Sequence, residues 1–277
     1  MPRVVEQTMV VPNIHRLTLE APEVAEAARP GNFIIVRAAE DGERVPLTLA
    51  DWDPKAGTVT SMFVQVGAST GRLARLGAGD EIPTCAGPLG NATEIGRFGT
   101  VLLVGGCYGI GSITPIADAL ARAGNSVVAL VEARSSYLLY GEDRLRALGA
   151  RVIVVTRDGS QGHKGHVTRL TEVLEREALR PDRVIAHGCT FQMMQVSEQT
   201  RPLGIKTIVS MNPIMIDGTG MCGVCRVTVG GETKFACVDG PEFDGHEVDW
   251  EEFLARREGY ADEELEPLHR SGCASRF

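Results

Sequence analysis

Between Asp217 and Cys237 the chain reads DGTGMCGVCRVTVGGETKFAC. Cys222 and Cys225 form a Cys-x2-Cys pair, and Cys237 follows in the same glycine-rich stretch. Thiolates are soft donors that suit zinc or an iron–sulfur cluster, and three of them this close together point to ligation. With Asp217 as the first position, the spacing is Asp-x4-Cys-x2-Cys-x11-Cys. The plant-type spacing for a [2Fe-2S] cluster is Cys-x4-Cys-x2-Cys with a distant fourth Cys. Asp217 therefore stands where the first cysteine would, and Asp217, Cys222, Cys225 and Cys237 are the expected ligands. Gly218, Gly220 and Gly223 let the loop turn tightly and aim N–H groups at a cluster. Structural zinc competes, but it commonly takes two Cys-x2-Cys pairs or one pair with two histidines, and the second pair is missing here. Asp239, His246, Cys189 and Cys273 are the other candidates for the fourth place. None of them restores the x4 spacing.

The rest of the composition bounds what surrounds this loop. A chain of 277 residues, 43% hydrophobic and 23% charged, is long enough for two domains of ordinary size and reads as soluble and globular. Its net charge of −8 argues against nucleic acid and anionic membrane as partners, and reads as an acidic, solubilising surface. No apolar run reaches the length of a membrane span. The start, MPRVVEQTMVVPNIHRL, lacks a signal-peptide apolar region, which predicts a cytoplasmic protein with reduced thiols. Seven cysteines, an odd number with three in one segment, fit ligation better than disulfides.

The elements that must position the loop fall into stretches of different rhythm. Residues 1–97 carry short β-branched runs separated by Pro, Gly and Asp, such as IHRLTLEA, GNFIIVRA and TVTSMFVQV. This pattern predicts an antiparallel barrel or sandwich, with one short helix at 69–80 capped by Ser69 or Thr70. Residues 98–211 alternate apolar runs (TVLLVGG, SVVALVEA, RVIVVTRD, DRVIAHG, IKTIVSM) with helical spacing, predicting five strands and four helices in a doubly wound parallel sheet. Residues 212–250 form the cluster segment, with a hairpin at 225–237 whose strands flank Gly-Gly-Glu. Residues 251–277 read as a charged, helical tail. The fold class is thus a β barrel plus α/β, followed by a C-terminal [2Fe-2S] loop segment.

RVPLTLADWD, MIDGTGMCGVCRVTVGGETKFACVDGPEFDGHEVD and the domain order together resemble the flavin and iron–sulfur subunits of the ferredoxin–NADP reductase superfamily. That group includes the electron-transfer subunit of dihydroorotate dehydrogenase. It also includes the small (alpha) subunit of NADH-dependent ferredoxin:NADP oxidoreductase, also described as sulfide dehydrogenase. The resemblance implies one aspartate and three cysteines around a [2Fe-2S] cluster, and FAD in the barrel. The family's flavin motif, Arg-x-Tyr/Pro-x-Ser/Thr, falls on Arg44, Val45, Pro46, Leu47 and Thr48. An arginine offers a charged fork to pyrophosphate. A second motif, Gly-x-x-Thr, falls on Gly67, Ser69 and Thr70, at a helix start whose N–H groups favour phosphate.

For NAD(H), the family's Gly-Gly-Gly-Val/Ala-Gly loop corresponds to Gly105, Gly106, Cys107, Tyr108 and Gly109. Its third glycine is a cysteine here, and Tyr108 either stacks on a flavin or blocks the nicotinamide. Glu132 is placed to accept from an adenosine ribose hydroxyl, beside Arg134. Gly188 and Cys189 match a Gly-Pro pair with cysteine in place of proline. No catalytic triad or acid–base pair is legible. The reading is an electron-transfer subunit that passes electrons from NAD(H) through FAD and a [2Fe-2S] cluster to a larger flavin and iron–sulfur partner subunit. The alternative is a non-catalytic relay or assembly subunit with a degenerate nicotinamide site.

Overall fold

The structure, a computed structural model, describes residues 1–258. The first sheet is built from β1 (Arg3–Val11), β2 (Ile14–Glu20), β3 (Phe33–Arg37), β4 (Val45–Asp53), β5 (Thr58–Val64) and β6 (Thr84–Leu89). Helix α1 (Pro22–Ala27) follows β2, and α2 (Ala68–Leu73) follows β5. The strands are antiparallel in the order β1-β2-β5-β4-β3-β6, and an isolated bridge from Arg3 of β1 to Glu81, just before β6, closes the sheet toward a barrel. Alternation fixes which side faces in: Leu17 and Leu19 of β2 are buried, whereas Arg16 between its buried neighbours is exposed. With Ile34, Val36, Leu49 and Phe63 they fill the barrel core.

The second unit contains β7 (Thr100–Gly106), α3 (Gly109–Arg122), β8 (Ser126–Ala133), α4 (Glu142–Ala147), β9 (Arg151–Thr156), β10 (His163–Lys164), α5 (Leu170–Arg176), β11 (Arg183–His187), α6 (Thr190–Thr200) and β12 (Lys206–Ser210). The cluster segment adds the hairpin of β13 (Arg226–Val229) and β14 (Glu232–Phe235), then β15 (Glu242–Asp244) and α7 (Trp250–Glu258). The large sheet has the order β10-β9-β8-β7-β11-β12-β15, parallel except for β15 at its edge. The chain leaves β7 toward β8 on one side and returns as β11 on the other. The carboxyl ends of β7 and β11 thus form the switch point where such sheets bind ligands.

Two layers cover the sheet. Ile113, Ile116 and Leu120 of α3 pack on one face with Val101 and Leu103, and the same cluster takes in Ala50 and Met62 of the barrel. Each such aliphatic side chain contributes about 1.5–3 kcal/mol by leaving water. On the other face Met193 and Val196 of α6 meet Leu102 and Val104, in a core that also holds Phe33, Ile35, Cys225 and Cys237. The cysteine loop is therefore anchored to both units.

Several local expectations shift. The helix expected at 69–80 is the shorter α2, with Gly67 rather than Ser69 or Thr70 as its N-cap. The hairpin turns on Gly230 and Gly231 only, both at positive φ, and Glu232 pairs with Val229. Of the tail expected to be helical, α7 covers Trp250–Glu258, and 259–277, with Cys273, lies outside the described residues. Among the described residues no helix is long and apolar enough to cross a membrane.

Glycines at the start of α3 let the layers touch. A Cβ on Gly109 would lie 2.0 Å from the backbone oxygen of His187, and one on Gly111 would lie 2.3 Å from Met62 Cγ. Gly109→Ala should therefore destabilise the chain by about 1–3 kcal/mol, because a backbone carbonyl has to move. Gly77→Ala, which meets only ordinary contact at 3.8 Å, should stay within about 0.5 kcal/mol. Denaturant midpoints measure both, and an unshifted midpoint for Gly109→Ala would contradict the contact.

Candidate functional site

Where β4 and β5 face the carboxyl ends of β7, β11 and β12, the chain forms a half-open cavity of ≈ 240 Å³. Its walls are mostly apolar, and Pro46, Thr48, Thr70, Tyr108, Gly188 and Asn212 stand among them. Of the residues expected at a flavin, Val45, Pro46, Leu47, Thr48 and Thr70 line this space. Arg44 is exposed beside it and donates from Nη1 to the Ile216 carbonyl at 3.3 Å. Ser69 turns away, its hydroxyl donating to Glu43 at 2.7 Å. The Thr70 hydroxyl accepts from the N–H groups of Val66 (3.0 Å) and Gly67 (3.1 Å), which fixes the entry to α2.

The glycine loop is shaped by protein neighbours. A Cβ on Gly105 would meet Ile113 Cδ1 at 2.8 Å, and one on Gly106 would meet Gln192 Oε1 at 2.2 Å. Cys107 has φ 50, a left-handed conformation that costs a side-chain-bearing residue roughly 1–2 kcal/mol. Two tyrosines hold this turn. Tyr140 donates to the Cys107 carbonyl at 2.7 Å and accepts from Gly111 N–H at 3.3 Å. Tyr108 donates to the Gly188 carbonyl at 2.7 Å and accepts from Asn212 Nδ2 at 3.1 Å. Burial pushes the Tyr108 phenol up to about 12, so it remains a donor at neutral pH.

Glu132, at the end of β8, is buried. Its Oε1 lies 3.0 Å from His166 Nε2 and 3.9 Å from Arg157 Nε, and its Oε2 has no hydrogen-bond partner among the described residues. Burial lifts this carboxyl to about 7, against the pull of Arg157. Burial, with Arg157 beside it, drops His166 to about 4. The edge expected to meet a ribose is thus covered by His166 and Arg157, with one carboxylate oxygen left over as an acceptor. Arg134 is exposed just beyond β8, and Cys189 is the exposed N-cap residue of α6.

At the cysteine loop, the sulfurs of Cys225 and Cys237 lie 3.2 Å apart and are buried, while Cys222 is exposed. Asp217 accepts from Thr219 N–H (2.9 Å) and Cys222 N–H (2.7 Å), and these bonds hold its carboxyl below the usual range. Among the described residues no three His, Cys, Asp or Glu are arranged as a closed metal-ion site. The donor set nonetheless fits a [2Fe-2S] cluster: two thiols already converge, and the carboxylate and third thiol sit on the same glycine-turned loop. Gly218, Gly220 and Gly223 all have positive φ, as the tight loop requires. Of the other candidates for the fourth place, His246 contacts Thr200 Oγ1 at 3.0 Å and Asp239 accepts from Phe235 N–H at 2.6 Å, while Cys189 stands at the nucleotide edge.

Sequence reasoning misses Tyr140, His187, Gln192 and Asn212. His187, in the cavity wall, lies 3.1 Å from Glu242 through its Nε2. Gln192 is buried between the two loops, against Gly106 and Gly188, with its Nε2 unpartnered among the described residues. No motif marks these positions. The only signal is the break in rhythm at Asn212.

Residues 212–249 match the iron–sulfur cluster binding domain of dihydroorotate dehydrogenase B. Over 94% of its length the chain is 44% identical to a dihydroorotate dehydrogenase B (NAD+) electron transfer subunit homolog of Thermotoga maritima, of which 92% is covered. It is 32% identical over 88% of its length to the electron transfer subunit of dihydroorotate dehydrogenase B (NAD+) of Geobacillus thermodenitrificans, of which 96% is covered. A solved structure described as giving insight into flavin-based electron bifurcation by NADH-dependent reduced ferredoxin–NADP oxidoreductase is 42% identical. It superposes with a TM-score of 0.90 over 98% of this chain and 97% of its own.

The buried carboxyl sets a pH dependence. The folded chain binds the Glu132 proton more tightly than the unfolded chain, so this group's penalty grows as pH rises from 4.5 to about 7. Glu132→Gln should stabilise the protein by about 1–3 kcal/mol at pH 8 and by under about 1 kcal/mol at pH 5. Thermal melts across that range measure it. A gain that is flat with pH would contradict the burial of a carboxylate here.

Proposed function

The chain belongs to the family of dihydroorotate dehydrogenase B electron-transfer subunits, and on that premise we propose that its cavity holds the flavin of FAD, its Asp217–Cys237 loop a [2Fe-2S] cluster, and its sheet edge NAD(H). It is an electron-transfer subunit of an oxidoreductase. When bound, FAD would supply hydride acceptance from NADH and release of single electrons, and a cluster held by Asp217, Cys222, Cys225 and Cys237 would supply one-electron relay toward a larger flavin and iron–sulfur partner subunit.

One observation carries this reading. A single run of backbone lines the cavity at Asn212, Pro213 and Met215 and becomes the cysteine loop at Asp217. Arg44, from the expected flavin motif, grips that run at the Ile216 carbonyl. The flavin pocket and the thiols are thereby held in one piece. Each residue then has a task. Leu47 and Met62 exclude water from a ring system, and Thr48 offers it a hydroxyl. Arg44 carries positive charge at the rim, suited to a pyrophosphate. Tyr108, kept protonated, ties the glycine loop to Gly188 and Asn212 at the nicotinamide end of the pocket.

The reading of a relay without a working nicotinamide site draws support from the same end of the pocket: Tyr108 is bonded across it, and His166 and Arg157 cover Glu132. Calorimetric titration with NADH separates the two. Saturable binding supports the open site, and no heat supports the relay.

The cofactor assignment is tested through Asp217. The purified chain should contain one FAD with two irons and two acid-labile sulfides. Asp217→Asn should shift the paramagnetic resonance signal and potential of the reduced cluster, because ligand identity sets both. Asp217→Cys should retain a cluster with an altered spectrum, and Asp217→Ala should lose it or leave it labile. An unchanged signal in Asp217→Asn would reduce Asp217 to a cap of the turn, and zinc without sulfide would end the iron–sulfur reading.

A further inference from the structure

We propose that Cys107 and Cys189 form a thiol-exchange site that reacts with small-molecule disulfides and closes to an intrachain disulfide across the two nucleotide loops. The placement follows from register. Strands β7 and β11 pair in parallel with Gly105 opposite His187. Two residues beyond that pair, just past the strand ends and at the same end of the sheet, come Cys107 and Cys189. Facing residues in neighbouring strands lie about 5 Å apart, and a disulfide spans Cα atoms about 4.4–6.8 Å apart.

Where the strands end, Gly188 stays against the start of α3, with Gln192 packed behind Gly106 and Gly188. A Cβ on Gly109 would lie 2.9 Å from Gly188 N, and the Tyr108 hydroxyl reaches the Gly188 carbonyl at 2.7 Å. Each cysteine is the chain neighbour of one member of that hydrogen bond. Burial is the main influence on the Cys107 thiol and raises it; Cys189 and Glu132 add to that, Arg134 and Arg157 oppose it, and all four therefore lie in one electrostatic neighbourhood with Cys107. Both are exposed and unpaired, so a reagent can reach them. Cys107 also keeps a side chain at φ 50, a backbone conformation in which glycine is the unstrained choice. Retaining a thiol there has a steric cost that exchange chemistry at this position would justify.

The other cysteines do not compete. Cys225 and Cys237 are buried and belong with Cys222 to the ligand loop. Cys85 is half-buried on β6 and packs against the barrel core, away from both loops.

The chemistry balances with a small disulfide RSSR as oxidant. One protein thiolate attacks a sulfur of RSSR, breaking its S–S bond, forming a mixed disulfide and releasing RS⁻. The second protein thiolate attacks the protein sulfur of that mixed disulfide, forming the Cys107–Cys189 bond and releasing the second RS⁻. Two protein thiols and one RSSR become one protein disulfide and two RSH, so two electrons and two protons leave the protein. The product would join the loop before α3 to the loop before α6, beside Tyr108 and Gly188 in the cavity wall.

The test uses the full chain with its cofactors, incubated with oxidised glutathione, alkylated and digested for mass spectrometry. The expected product is a pair of peptides joined through positions 107 and 189, lighter by two hydrogens than the reduced pair. It should coincide with loss of two alkylatable thiols and be reversed by dithiothreitol. Cys107→Ser and Cys189→Ser should each yield a glutathione adduct on the remaining thiol and no cross-link. Persistent glutathione adducts on the unsubstituted chain without a cross-link, unreacted thiols at both positions, or a cross-link from either cysteine to another thiol would each overturn the proposal. These readouts involve no nucleotide, so they stand or fall separately from the assignment of NAD(H) and FAD.

Discussion

The carbonyl of His187 rests against the α carbon of Gly109, and much of the site depends on that backbone-to-backbone contact. A methyl group on Gly109 would lie 2.0 Å from the oxygen. Because nothing intervenes, the end of β11 and the first turn of α3 stay in register beyond their paired strands. Tyr108, one residue earlier, can then bond to Gly188 and Asn212. Two residues later Gly111 lies nearly as close to the Met62 side chain, drawing the barrel onto α3. The cavity is the space left between surfaces that these two glycines bring together. Dense packing of this kind transmits small changes, since interiors have little free volume to absorb them.

From Asn212 the chain carries that order to the metal-ligand loop. Met215 is buried with Cys225 and Cys237 in the core shared with α6 and β3. A Cβ on Gly218 would meet Leu89 and Ile35 at 2.6 and 2.7 Å, so the loop after Asp217 also lies tight on the barrel. An electron carrier needs fixed spacing between its centres, and both centres here would take their positions from one connected scaffold. The carboxyl–imidazole pair at the end of β8, Glu132 with His166, is a separate electrostatic unit, and Glu132 is buried and only partly satisfied.

Much of the architecture was legible because its signals are local. Buried parallel strands are continuous apolar runs, and TVLLVGG or SVVALVEA admit few other readings. The cysteine spacing is likewise local, which is why the ligand set stands out. What escaped is tertiary. Strand β6, TCAGPL, contains Gly87-Pro88, carries no strand pattern of its own and becomes a strand by pairing with β3. Strand β15 is the short, acidic EFD, a strand only because β12 offers its edge. The glycines after β7 correspond in sequence to the family's NAD(H) loop, yet Gly105, Gly106 and Gly109 each face a protein atom that a Cβ would strike. Tyr140, Gln192 and Asn212 reach the site across long sequence separations, and no pattern in their own neighbourhoods announces that.

The central claim is that one rigid piece of this chain connects a nicotinamide-accessible flavin to the Asp217–Cys237 loop. Anaerobic stopped-flow mixing of the purified chain with NADH, followed at flavin and cluster wavelengths and frozen for paramagnetic resonance, tests it most directly. The account predicts loss of flavin absorbance followed by the signal of a reduced [2Fe-2S] cluster in the same molecules. Flavin loss with no cluster signal, even after addition of excess NADH and a low-potential mediator, would contradict it.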